Sequence, residues 1–107
     1  MKELQSMEMF NTEIQSGTKV VMFSADWCPD CRVIEPFLPE VEDKFSQITF
    51  LYADRDIFID LCAELNVYGI PSFVAYHDGK EVHRFVSKDR KTQEEIETFL
   101  SEALSKC

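Results

Sequence analysis

Residues 19–25 read Lys-Val-Val-Met-Phe-Ser-Ala, a short apolar run with no polar alternation. Such a run predicts a strand buried on both faces, and strands of that kind sit inside sheets covered above and below by helices. The period then changes. Val33, Ile34, Phe37, Leu38, Val41 and Phe45 form one stripe at helical spacing. A buried strand leading straight into an amphipathic helix is the start of a crossover connection, which calls for a parallel neighbour.

The rest of the chain continues the alternation. Leu4, Met7, Phe10 and Ile14 predict an opening helix over 2–15, closed by Gly17. Pro36 is expected to kink the helix after the first strand. Residues 48–53 read as a second buried strand, and Ile57, Phe58, Leu61, Cys62 and Leu65 predict a helix over 54–66. Gly69-Ile70-Pro71 punctuates the chain before a third strand over 72–76. Asp78-Gly79 is a hairpin signal, with a returning strand over 81–87. Thr92 and Glu95 form a capping box for a last helix whose apolar face is Ile96, Phe99, Leu100 and Leu104. The order α-β-α-β-α-β-β-α is α/β in class. It implies a central mixed four-stranded sheet with helices on both faces, in one domain spanning 1–107.

The 107 residues carry 20 acidic and 11 basic side chains, a net charge of −9. That balance repels phosphate backbones and anionic lipid, so neither nucleic acid nor membrane is an expected partner. No run approaches the roughly 18–20 apolar residues of a membrane span. The first ten residues are broken by charges and lack an apolar signal region, so a cytoplasmic location is expected.

Four cysteines are present: Cys28, Cys31, Cys62 and Cys107. One close pair and two scattered singles point to one chemical site, not a disulfide scaffold. Cys28-Pro29-Asp30-Cys31 lies where the first buried strand ends and the long helix begins. Both sulfurs then fall on one short arc. Cys28 sits at the helix N-terminus, whose unpaired N–H groups favour a thiolate and make it the attacking thiol. Pro29 suits the first helical position. A CxxC can also be half of a zinc site or share an iron–sulfur cluster between chains. A structural zinc needs four ligands, and Cys62, Cys107, His77 and His83 offer no second pair at ligand spacing. No metal or other cofactor is expected. Cys62 falls on an apolar helix face and reads as a core residue. Cys107 is terminal and has no catalytic role. His77 and His83 flank the hairpin and are expected to face solvent. Trp27, at the strand end beside Cys28, is expected to shield the sulfurs and touch substrate.

Taken together, these motifs resemble the thioredoxin family over nearly the whole chain. In that family a Trp-Cys-x-x-Cys follows the first central strand, as Trp27 to Cys31 do here. A proline follows five residues after the second cysteine, matched by Pro36. An Ile-Pro-Ser or Ile-Pro-Thr precedes the third strand, matched by Ile70-Pro71-Ser72. The resemblance implies that Pro71 is cis and faces the dithiol, and that the Ile70 backbone pairs with bound substrate. Pro29 and Asp30 would line the same binding surface. The inner Pro-Asp replaces the usual Gly-Pro. It resembles a narrower-range disulfide reductase of the family and also bacterial thioredoxin-like proteins, and the latter kinship is the expected one.

Two departures bear on mechanism. The family carries a buried Asp six residues before the first cysteine, where this chain has Met22, and a partner Lys, where it has Phe50. The proton of Cys31 therefore needs another acceptor. Asp30 ranks first and Asp26 second, with Glu35 one helical turn beyond Cys31 and water as the alternative. Asp30 favours the first helical turn but opposes a thiolate at Cys28, since like charges repel. The family's Gly-Ala beside the substrate groove is replaced by Phe85-Val86-Ser87-Lys88-Asp89, expected to narrow it.

The expected function is thiol–disulfide oxidoreduction through a mixed disulfide. Its substrates would be disulfide-containing proteins or small thiols. Its electron donor would be a thioredoxin-reductase-type enzyme or a low-molecular-weight thiol. The chain is expected to act as a monomer. Two rivals remain: a binding or scaffold module whose dithiol does not turn over, and a dedicated reductase for one small thiol or peroxiredoxin.

Overall fold

The central run forms strand β2 (Thr18–Ser24), and it pairs on both edges. In the computed structural model, which describes residues 1–107, β2 runs parallel to β3 (Thr49–Asp54) and antiparallel to β4 (Ser72–His77). β4 turns at Asp78-Gly79 into β5 (Lys80–Phe85). Asp78 and Gly79 both have positive φ, 49° and 89°, as a two-residue hairpin with matching twist requires. Val20, Val21, Met22, Phe23 and Ser24 are all buried, so the unbroken apolar pattern marks a strand with no solvent face.

The chain's start differs from the expected helix over 2–15. Lys2 and Glu3 form a two-residue strand β1, parallel to β3 and paired with Leu51 and Tyr52. The helix α1 is shorter, Met7–Glu13, and opens at Ser6, whose side chain accepts from the Met9 N–H. Leu4 and Phe10 are buried in the same core, so their spacing mimicked one helix although Leu4 belongs to the strand extension. The sheet thus has five strands in the order β1-β3-β2-β4-β5, the four expected ones plus this short edge.

The helix after β2 is divided. α2 (Pro29–Ile34) runs into a 3-10 turn over Glu35–Phe37 and then α3 (Leu38–Lys44). Pro36 and Pro39 each sit in the first two positions of a new segment, where a missing N–H is tolerated. The third helix, α4 (Ile59–Leu65), starts five residues later than expected. Residues 55–58 are turns instead, in which the Asp54 carboxylate accepts from the Asp56 N–H. The last helix, α5 (Gln93–Ser105), carries the full Thr92–Glu95 capping box.

Two cores follow from the period of the strands. On one face Val20, Met22 and Phe50 pack beneath α2, α3 and α5, against Ile34, Val41, Ile96 and Leu100. On the other, Val21, Phe23 and Leu51 pack against α1 and α4 through Phe10, Leu61 and Cys62. No helix is long and apolar enough to cross a membrane.

Candidate active site

The end of β2 delivers Cys28 to the N-cap of α2. Cys28 has extended backbone angles, φ −84° and ψ 113°, and its sulfur accepts the Cys31 N–H at 3.2 Å. Pro29 holds the first helical position. Cys28 is 4% exposed, whereas Cys31 is fully enclosed. Both are free thiols. Burial, and then the hydrogen bond with Cys28, pushes the Cys31 thiol up to about 12. The inner sulfur is therefore protonated at rest.

The Ile70–Pro71 peptide is cis, and the Cys28 thiol approaches the Ile70 carbonyl at 3.8 Å. Ala25, Cys28, Cys31 and Ile70 form a small apolar cluster of their own. Around it stands an exposed rim. Trp27 is 60% exposed, and its indole N–H donates to Asp56 at 2.8 Å. Tyr68, just before the Gly69-Ile70-Pro71 loop, is 63% exposed. Trp27 directly precedes Cys28 in the chain and Tyr68 lies two residues before Ile70, so two large exposed rings flank the segments that carry the outer sulfur and the cis peptide.

Asp30 does not stand free beside the dithiol. Its carboxylate accepts from Arg90 at 3.0 Å. The loop that carries Arg90 also lies close to Gly69, where a Cβ would collide with the Ser87 carbonyl. The backbone of this loop thus packs directly on the Gly69-Ile70-Pro71 segment. Within the loop Lys91 is 2% exposed, and its ammonium donates to the Ser87 carbonyl, the Ser87 hydroxyl and the Asp89 carbonyl. Burial lowers its affinity for the proton. Arg90 and Lys91 were not singled out in the sequence. One signal existed for Lys91: it occupies the position before the Thr92 cap, where an apolar staple residue is usual.

Met22 and Phe50 are buried in the core between the sheet and α2, α3 and α5, in a cluster separate from that of the two cysteines. Asp26 and Glu35 are exposed and line a cleft of about 380 Å³ with Met1, Glu3, Tyr52 and Asp54. The remaining residues fall away from the site. Cys62 is buried in the α4 core, and Cys107 is exposed at the far end of α5. The histidines are more engaged than expected. His77 hydrogen-bonds Thr18, and His83 stacks on Phe99 and pairs with Glu102. Their positions beside the hairpin let β2 and α5 reach them.

Comparison with known proteins agrees with this geometry. The thioredoxin family model matches residues 2–102. Rabbit (Oryctolagus cuniculus) thioredoxin is 32% identical over 106 residues, 96% of this chain and 98% of the relative. Thioredoxin H2 of Arabidopsis thaliana is 42% identical over 76 residues, 69% of this chain and 57% of the relative. The crystal structure of thioredoxin from Trypanosoma brucei brucei has a TM-score of 0.84 at 20% identity, covering 96% of this chain and 89% of that one.

Proposed function

This chain belongs to the thioredoxin family and is a thiol–disulfide oxidoreductase, and from that premise we propose that Cys28 is its attacking thiol and Cys31 its resolving thiol. The observation that carries the assignment is the asymmetry of the two sulfurs. Cys28 caps a helix and accepts an N–H at 3.2 Å, while Cys31 is sealed beneath it and held protonated. A sulfur that accepts hydrogen bonds is stabilised as an anion, and the thiolate is the nucleophile.

In the forward direction the Cys28 thiolate attacks one sulfur of a substrate disulfide. That S–S bond breaks, a Cys28–substrate bond forms, and the first substrate thiolate leaves. Cys31 then attacks the Cys28 sulfur, the second thiolate leaves, and a Cys28–Cys31 disulfide remains. Two electrons have passed to the substrate. A thioredoxin-reductase-type enzyme or a low-molecular-weight thiol returns them.

Trp27, Pro29, Asp30, Ile70 and Pro71 form the substrate surface in this reading, with the Ile70 backbone offering an extended segment its pairing partner. The substrates are protein or small-molecule disulfides, and the protein works in the cytoplasm as a single-domain monomer. A second, narrower reading is a dedicated reductase for one small thiol or peroxiredoxin. The Asp30–Arg90 pair and the close approach of Ser87 to Gly69 favour it, because both crowd the groove.

Reduction of insulin disulfides with dithiothreitol as electron source tests the assignment. Wild type is expected to turn over, Cys28→Ser to be inactive, and Cys31→Ser to accumulate a mixed disulfide. Turnover by Cys28→Ser at the wild-type rate refutes it.

A further inference from the structure

Lys91 is a buried cation that the exchange reaction does not use. The three partners of its ammonium are all uncharged: the Ser87 carbonyl at 3.3 Å, the Ser87 hydroxyl at 3.1 Å and the Asp89 carbonyl at 3.2 Å. They match the three N–H bonds that a lysine can donate. The Phe85 ring faces the same ammonium, 5.0 Å from Nζ, as a cation–π partner. Burying a charge without a counter-ion is unfavourable. The start of α5 does not require it, because an apolar residue before the Thr92 cap would serve there at least as well. What the ammonium organises is the loop, since it gathers oxygens of residues 87 and 89 around a single point.

That loop touches both halves of the site. Its Ser87 and Lys88 backbone packs so closely on Gly69 that no Cβ fits there. Gly69 precedes Ile70, whose carbonyl lies 3.8 Å from the Cys28 sulfur. Arg90, at the other end of the loop, donates to Asp30 between the two cysteines at 3.0 Å. On the strand side the Val86 carbonyl accepts from the Tyr68 hydroxyl at 3.4 Å, and Phe85 pairs with Phe73, two residues after the cis proline. The loop thus straps the redox motif to the cis-proline segment, and one internal side chain holds its shape.

We propose that Lys91 is a specificity-determining residue that locks this strap and so disfavours polypeptide disulfides relative to small ones. It acts through the loop, as a positioning residue that touches no reacting atom. The inference rests on Cys28 being the attacking thiol. A polypeptide disulfide carries chain on either side of its sulfurs, and that chain meets the strap on the way to Cys28. A small disulfide carries nothing that does. A strap that opens only part of the time lowers the apparent affinity for the larger substrate by the open fraction and leaves the smaller one unaffected.

The test compares two disulfides. Reduced protein in a Cys107→Ser background, which removes the exposed thiol, is mixed with excess insulin or excess bis(2-hydroxyethyl) disulfide. Either one takes two electrons from the Cys28–Cys31 dithiol and is left as two thiols. Acid quenching, alkylation and mass measurement follow the loss of protein thiols with time. Lys91→Met keeps the apolar stem and deletes the ammonium. The ratio of insulin rate to small-disulfide rate is expected to rise about fivefold, with the small-disulfide rate within about twofold of wild type. Amide hydrogen exchange over residues 87–90 should quicken in the same variant. Ser87→Ala removes one of the three acceptors and should raise the ratio about twofold by the same mechanism, so it carries the test should Lys91→Met fail to fold. Wild-type ratios in the folded variants overturn the proposal. So does an equal change with both disulfides, which marks a general loss of packing. A Cys28→Ser protein that reacts with the small disulfide at the wild-type rate overturns the assignment of Cys28. An inert Cys28→Ser protein together with unchanged ratios overturns the lock alone.

Discussion

The Arg90 guanidinium donates to the Asp30 carboxylate at 3.0 Å, tying the loop before α5 to the redox motif 60 residues away. The pair is largely solvent-exposed, with Arg90 at 65% and Asp30 at 30% of side-chain area. Exposed pairs contribute about 0–1 kcal/mol, so Arg90→Ala should leave stability nearly unchanged. Its effect should appear in substrate range, because the bond ties the loop that carries Arg90 to the residue between the two cysteines. Insulin reduction by Arg90→Ala is expected to rise severalfold relative to reduction of a small aromatic disulfide. Equal effects on both substrates would remove the pair from any role in access.

Gly69 is required by the close approach of the same loop. A Cβ there meets the Ser87 carbonyl oxygen and carbon and the Lys88 Cα, all backbone atoms that move only if the loop moves. Overpacking of this kind destabilises by about 1–3 kcal/mol. Gly69→Ala should lower the urea midpoint accordingly with an unchanged slope, and should loosen the loop. Wild-type stability for this variant would mean that the loop yields freely.

Restoring the family's acid to the apolar patch should harm this protein. Met22→Asp buries a carboxylate against Phe50 with no cation beside it, and an unpaired buried charge is destabilising by about 3–5 kcal/mol. Burial disfavours the charged form, so the deficit should shrink as pH falls and the carboxyl takes up a proton. Adding Phe50→Lys should recover part of it at pH 7. Denaturation of the two variants across pH checks both statements, and a Met22→Asp protein as stable as wild type at pH 7 contradicts them.

Alkaline stability has a defined contributor in Tyr76, which stacks edge-on against Phe10 and is buried in the core beneath α1. Burial raises its phenol from 10.0 to about 12. The unfolded chain therefore loses this proton first as pH rises. Between about 10 and 12 the unfolded state binds fewer protons than the folded one, so stability falls with pH in that window and the contribution is fully present below it. Tyr76→Phe keeps the ring contact and removes the titration. It should lose less stability than wild type between pH 9 and 12, measured by urea unfolding; parallel losses would rule the phenol out as a contributor.

Much of the site was legible in the chain because it is local. The CxxC at a strand-to-helix junction, Pro29 at the first helical position, the Ile70-Pro71-Ser72 step and the Thr92–Glu95 box each lie within a few residues, where backbone chemistry alone dictates geometry. The missed strand at Lys2–Glu3 shows the converse. Two residues have too little pattern to declare a strand, and only pairing with Leu51 and Tyr52 makes them one.

The dithiol with which the chemistry begins was determined by the sequence on its own: two cysteines three apart, one at a helix N-terminus and one a turn inside it. The order of the four main strands and the helices was determined in the same way, by short unbroken apolar runs alternating with stripes of period 3.6. What surrounds the sulfurs was decided only by tertiary structure. Asp30 meets Arg90 across 60 residues, Cys28 meets the Ile70 carbonyl across 42, and Trp27 meets Asp56 across 29. Those partners are distant in the chain, and nothing short of the packed sheet and helices brings them within hydrogen-bonding reach.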